Sequence, residues 1–221
     1  MAKKTLRLFS WNVNGLRSCA NKGFLEWLEA ARPDVVGLQE VRARPEQLPE
    51  EVREPAGYRA HFFPAQRPGY SGVALLARVE PRSITLGGLG EERFDGEGRL
   101  VIADLGDLLF YTGYFPNGGN DLSRVPYKLE FSEAVLRHAE RERARGRSIV
   151  ICGDVNTAHH EIDLVRRAID ALSKPESLLP RPDDPLFEPL LDWLRAHIPA
   201  PPPRPVLVHG DACAPNTLVA A

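Results

Sequence analysis

An α/β fold is what this sequence predicts, and three observations carry the prediction. Short apolar runs such as Val35 to Leu38 and Ile149 to Cys152 have the length of buried strands and give way to polar residues or glycine. Between such runs, apolar residues fall at helical spacing, at 24, 25, 27 and 28 and again at 127, 131, 135 and 139. Amides and carboxylates recur just past the strand ends, which is where α/β proteins place their ligand sites.

Bulk properties set the outer limits. A chain of 221 residues holds one sizeable domain or two small ones. Apolar content of 43% and charged content of 26% are those of an ordinary globular chain. The net charge of −2 excludes a globally basic nucleic-acid binder, so any such contact requires a local patch. Cys19, Cys152 and Cys213 are scattered, form no CxxC pair and indicate no disulfide framework. The N-terminus lacks the apolar stretch of a secretory signal and no membrane span is evident, so the expected setting is reducing and cytoplasmic.

In chain order, Thr5 to Phe9 alternates as a strand and runs into Asn12, Asn14 and the turn residue Gly15. Phe24, Leu25, Trp27 and Leu28 predict a short amphipathic helix closed before Pro33. Asp34 to Gln39 is a second strand, with Glu40 just beyond it. The Pro- and Glu-rich stretch Ala43 to Gly57 reads as an exposed loop. Tyr58 to Phe63 and Gly72 to Val79 are consecutive strands, and Arg82 to Leu86 adds another. Arg99 to Asp104 and Leu108 to Tyr114 form a strand pair turning at Gly106-Asp107. The stretch from Tyr127 to Arg145 suits a helix packed on a sheet, with apolar 129 and 136 beside the main stripe. It leads into the apolar strand Ile149 to Cys152, where Gly153 ends the run ahead of Asp154.

In an extended strand end, Asp154 and Asn156 would point the same way, as would Asn12 and Asn14. Such groups at the mouth of a buried strand are either a polar strand terminus or a site that binds something. Asn12, Asn14, Glu40, Tyr114, Asn117, Asp154 and Asn156 together supply one acid with amides for a hard cation, a second acid for a water, and donors for developing charge. That set suits hydrolysis of a phosphodiester. Glu40 alone has the alternative of a solvated loop acid.

Six ordered blocks add a resemblance. They are Trp11-Asn12-Val13-Asn14-Gly15-Leu16-Arg17, Leu38-Gln39-Glu40, Gly69 to Ala74, Phe94-Asp95 with Glu97-Gly98-Arg99, Tyr114-Phe115-Pro116-Asn117, and Gly153 to His159 running on to Glu161-Ile162-Asp163-Leu164. Across residues 5 to 164 the chain resembles the exonuclease III and AP endonuclease family of DNA repair. The resemblance implies a four-layer α/β sandwich of the DNase I type, incomplete in its second half. It also implies a magnesium ion, with manganese as the alternative, and cleavage of double-stranded DNA at abasic sites or from 3′ ends by a monomer. By matching position Glu40 would hold the metal with Asn12 and Asn14 beside it, and Tyr114 would support the scissile phosphate. Asp154 would prepare the attacking water and Asn156 would steady the reacting group. Asn117, Arg17 and Lys128 are the candidate substrate contacts.

Beyond Leu164 the composition changes. Residues 164 to 221 carry 11 of the 20 prolines and one of the 18 glycines. Helices are expected over Glu161 to Leu172 and Leu186 to His197, followed by a stiff proline run and a short strand at Val206. The family's terminal Ser-Asp-His does not occur here, which puts turnover in question and opens the alternative of a truncated or fused chain that keeps metal and DNA binding. His209-Gly210-Asp211 with Asn216 instead resembles the catalytic loop of aminoglycoside-type phosphotransferases. In that family Asp211 would receive a hydroxyl proton and Asn216 would hold magnesium. Only five residues follow Asn216, so a working phosphotransferase is not expected.

Overall fold

The computed structural model describes residues 5–119 and 121–157. The expectations for the segment beyond Thr157, including its helices, Asp211 and Asn216, lie outside the described residues. Among the described residues, eight strands form two four-stranded sheets. The first holds β1 (Leu8–Asn12), β2 (Val35–Gln39), β3 (Arg59–Phe63) and β4 (Val73–Ala77) in the order β1-β2-β4-β3. The second holds β5 (Ser83–Leu86), β6 (Leu100–Asp104), β7 (Leu108–Tyr114) and β8 (Ser148–Asp154) in sequence order.

Each sheet contains one parallel pair, and a parallel pair needs a crossover. Between β1 and β2 the crossover is α1 (Leu16–Ala20) with α2 (Phe24–Ala31). Between β7 and β8 it is the long helix α5 (Val125–Ala144), which follows the short helical turns α3 (Glu50–Arg53) and α4 (Glu92–Asp95) in the chain. The sheets pack face to face through Val35, Val73, Leu75, Ala77, Val101, Ala103, Phe110 and Cys152. On the outer face of the first sheet, Phe9, Val36, Leu38 and Leu76 pack with Leu16, Phe24 and Leu28 of its helices. On the outer face of the second, Leu100, Ile102, Leu109 and Tyr111 pack with Phe131, Ala134, Val135 and Ala139 of α5. The order helix, sheet, sheet, helix is the four-layer sandwich that the motifs imply.

Several boundaries differ from the sequence reading. β1 runs Leu8 to Asn12 rather than Thr5 to Phe9, because a parallel strand extends only as far as its partner, and Leu8↔Val35 through Asn12↔Gln39 is that register. The stretch 43 to 57 is not an exposed loop. It holds a 3₁₀ turn at Pro45–Gln47 and a helical turn, α3 (Glu50–Arg53), and it buries Ala43, Leu48 and Val52. Apolar residues four apart, Leu48 and Val52, outweigh the surrounding Pro and Glu. On α5 the buried stripe excludes Leu129 and Leu136, which are 62% and 57% exposed. Gly153 does not end β8; the strand continues to Asp154. A Cβ at Gly153 would lie 1.9 Å from the Gly113 carbonyl oxygen, so only glycine lets β7 and β8 pair there.

Candidate active site

The C-terminal ends of both parallel pairs deliver their last residues to one rim. Asn12, at the end of β1, sends Nδ2 to Glu40 Oε1 at 3.0 Å and to Asp154 Oδ2 at 2.8 Å. One amide therefore clasps two buried acids, each 5% exposed, from opposite sheets. The Asn14 backbone N–H donates to Asn12 Oδ1 at 3.0 Å. That contact fixes the amide's orientation, since a flip would set two donors against each other.

Glu40 reaches the rim by leaving the strand path. Its φ is 52°, in the left-handed region, so the alternation of β2 stops at Gln39 and the acid turns toward Asn12. The turn is pinned by Gly15 N–H donating to Glu40 O at 2.7 Å and Val41 N–H to Gly72 O at 3.0 Å. The Arg42 guanidinium pairs with Glu40 Oε2. Asp154 is held differently, as the last residue of β8 with Oδ1 accepting the Asn156 backbone N–H at 2.9 Å. Asn156 stands at φ 50°, so it does not project beside Asp154 as an extended strand end would require. Its Nδ2 instead donates to Phe115 O at 2.8 Å, and its carbonyl accepts from Lys128 Nζ.

Tyr114 ends β7 beside these acids. Burial pushes its phenol above the ordinary tyrosine value, and the neighbouring Glu40 and Asp154 push it further. The hydroxyl is therefore a proton donor throughout the neutral range. Lys128 has its ammonium lowered by burial, opposed by the charge of Asp154. Behind Tyr114 lies Arg99, 2% exposed, whose guanidinium donates to Tyr114 O at 2.9 Å and Tyr70 Oη at 2.8 Å and sits 5.0 Å from the Tyr114 ring centroid. Glu97 accepts from Arg99 at 2.5 Å and from Arg124 at 2.8 Å. Tyr70, Glu97 and Arg124 also line an open cleft of about 640 Å³ with Gln66, Arg67 and Arg93.

The structure thus gathers Asn12, Glu40, Tyr114, Asp154, Asn156 and Lys128. Asn14, Arg17 and Asn117 are exposed. Asn117 caps a turn, its Oδ1 accepting the Gly119 N–H at 3.2 Å. Sequence reasoning gave no role to Arg42, Tyr70 or Arg99, although Tyr70 and Arg99 sit inside matched blocks. Among the described residues no cluster of three His, Cys, Asp or Glu side chains occurs. Two converging carboxylates of hard oxygen suit a small divalent cation that keeps most of its waters. The oxygen that fits such an ion comes from Glu40 and Asp154; Asn12, expected beside the metal, instead turns its Nδ2 donors to the two acids and its Oδ1 to the Asn14 N–H.

Comparison with known proteins agrees with the architecture. The sequence pattern of the Endonuclease/Exonuclease/phosphatase family matches residues 9–207. The chain is 35% identical over 161 residues to the DNA repair nuclease APEX1 of Danio rerio, covering 72% of this chain and 51% of that protein. It is 35% identical over 160 residues to an exodeoxyribonuclease of Bacillus subtilis, covering 72% of this chain and 62% of that one. Among solved structures, an AP endonuclease from Archaeoglobus fulgidus superposes with a TM-score of 0.61 at 29% identity, covering 72% of this chain and 60% of that one. The chain spans about half to three-fifths of these relatives' lengths. The phosphotransferase-like reading of Asp211 and Asn216 finds no support in them.

Proposed function

The chain belongs to the endonuclease/exonuclease/phosphatase family, and from that premise we propose that it hydrolyses phosphodiesters of double-stranded DNA with magnesium, at abasic sites or 3′ ends. The observation that carries the proposal is the clasp: two buried carboxylates from opposite sheets, 3.0 and 2.8 Å from one amide nitrogen. Buried acids so close repel; the Asn12 amide and the Arg42 guanidinium hold them together, and a cation between them would favour the pair further.

The roles follow from position. Glu40, with Asp154 facing it, is the carboxylate that would hold the ion. When bound, the ion supplies charge to polarise a phosphoryl oxygen and offset the charge that builds in the transition state. Asp154 orients a water and takes its proton as the water oxygen bonds to phosphorus and the ester oxygen departs. The Tyr114 hydroxyl, kept protonated by its surroundings, donates to a non-bridging phosphate oxygen. Lys128 adds a cation next to Asn156. With a net charge of −2, strand contacts rest on local cations such as Arg17 and Lys128.

The test is magnesium-dependent incision of an abasic duplex by the full chain, beside Glu40→Gln and Asp154→Asn. Each variant is expected to lose about a hundredfold or more in rate. Equal activity in all three would remove the assignment. An inactive wild type that still binds the duplex would replace hydrolysis with binding.

A further inference from the structure

Directly beneath the rim lies a second polar layer. Ser10, Gln39, Thr112 and Cys152 are 8%, 1%, 0% and 7% exposed. Three of them precede a rim residue by two positions on the same strand, Ser10 before Asn12, Thr112 before Tyr114 and Cys152 before Asp154, and Gln39 ends β2 one position before Glu40. Residues two apart on a strand share a face, so this layer and the rim are stacked between the sheets. Gln39 Nε2 lies 2.9 Å from Thr112 Oγ1 across the sheet gap, 3.1 Å from Gly37 O and 3.2 Å from Ser10 Oγ. The Cys152 thiol donates to Tyr111 O at 3.3 Å. Gly37 permits the close approach, since a Cβ there would stand 2.1 Å from Thr112 Oγ1.

An amide this deep is costly unless bonded, and purely apolar packing would fill the same space. The rest of the inter-sheet core is apolar, and apolar surfaces hold volume more firmly than register. A donor aimed at one acceptor holds both distance and direction. We infer that the Gln39–Thr112 bond sets the spacing of the two sheets at the rim, so that Gln39 and Thr112 are positioning residues for the Glu40–Asp154 pair. The inference rests on the hydrolysis proposed above for its meaning in catalysis, but the spacing of the acids is a property of the fold alone.

Three variants test it. Thr112→Val keeps the shape and removes the acceptor, Thr112→Ser keeps the hydroxyl, and Gln39→Leu with Thr112→Val removes both partners. The readouts are kcat and KM on an abasic duplex, the urea midpoint, and the side-chain amide resonance of Asn12, which reports the clasp without turnover. Thr112→Val is expected to lower kcat about 10- to 100-fold with KM within twofold, the scale of a small misplacement of reacting groups, and to shift the Asn12 signal. Thr112→Ser restores both, which a purely packing role would not require. The double variant regains stability but not kcat. Wild-type kcat with an unmoved Asn12 signal in Thr112→Val sinks the inference, as does a double variant that regains kcat along with stability. If the wild type hydrolyses nothing, the proposed function fails and the Asn12 signal decides positioning by itself. Should Thr112→Val not fold, Gln39→Met, which keeps the length of the side chain and removes the donor to Thr112, is read against the same two outcomes.

Discussion

The two sheets bring one acid each to the rim, but they do so by unlike means. In the first, β2 stops at Gln39 and a left-handed residue swings Glu40 inward, with Arg42 across its outer oxygen. In the second, β8 runs straight to Asp154, and the Asn156 turn closes over it. One acid is placed by a strained backbone and a counter-charge, the other by regular strand pairing and a glycine. Strain of this kind costs on the order of 1–3 kcal/mol and survives only where neighbours enforce it. The lesson is that the half holding Glu40 depends on its surroundings, while the half holding Asp154 depends on its backbone.

Glycine substitutions break that comparison most directly. Gly153→Ala presses a methyl into the Gly113 carbonyl, and no side-chain truncation relieves a backbone clash. It is expected to cost more than about 4 kcal/mol, or to abolish cooperative unfolding in urea. Gly37→Ala meets the Thr112 side chain instead, at 2.1 Å. Its cost is expected near 1–3 kcal/mol, and Thr112→Gly on the same chain should recover part of it. Equal costs for the two glycines, or no recovery, would erase the distinction between the halves.

Next in size is the buried guanidinium behind Tyr114. Arg99→Leu leaves Glu97 with Arg124 as its cationic partner among the described residues and frees the Tyr114 carbonyl, for an expected loss of about 3 kcal/mol. Burial raises the Glu97 carboxyl, but Arg99 and Arg124 outweigh it and hold the group below its ordinary value. A depressed carboxylate contributes stability above its unfolded value of about 4.3 and loses it as pH falls through the folded value. The urea midpoint of Glu97→Gln should therefore lie below that of the wild type at neutral pH, the gap starting to close near about pH 4 and vanishing only once the pH falls below the depressed folded value. A gap that persists into acid would show that Glu97 acts through packing rather than charge.

Much of this was legible in the chain, for reasons the elements make plain. Val73 to Ala77 and Leu108 to Tyr114 read as strands because their burial leaves a continuous β-rich run, and Ile149 to Cys152 reads the same way although Ile149 to Ile151 are only half-buried. Glu40 and Asp154 stood out because a carboxylate beside such a run calls for a reason. What alternation could not reveal was how they meet, since positive φ at Glu40 and Asn156 breaks the period-two rule on which the reading relied. Gln39 and Thr112 stayed silent because a polar residue inside a strand looks the same whether it faces water or a partner sheet. The buried Leu48 and Val52 were masked by composition, and Arg99 by its charge.

The smallest effect isolates the counter-charge of the first sheet. Arg42 is 45% exposed at its side chain and Glu40 7%, so the pair is screened on one side only. An exposed ion pair contributes about 0.2–1 kcal/mol, and Arg42 occupies the oxygen that a bound cation would share. Arg42→Ala should leave the urea midpoint almost unchanged while strengthening manganese binding about 1.4- to fivefold by calorimetry, the affinity equivalent of that range. Lys128→Ala is the counterpart from the other sheet: its ammonium donates to the Asn156 carbonyl and feels the charge of Asp154, so its loss should also strengthen manganese binding. If Arg42→Ala instead weakens the ion, Arg42 is holding Glu40 in its turned conformation, and the strained half is enforced by charge rather than by the backbone bonds from Gly15 and Gly72.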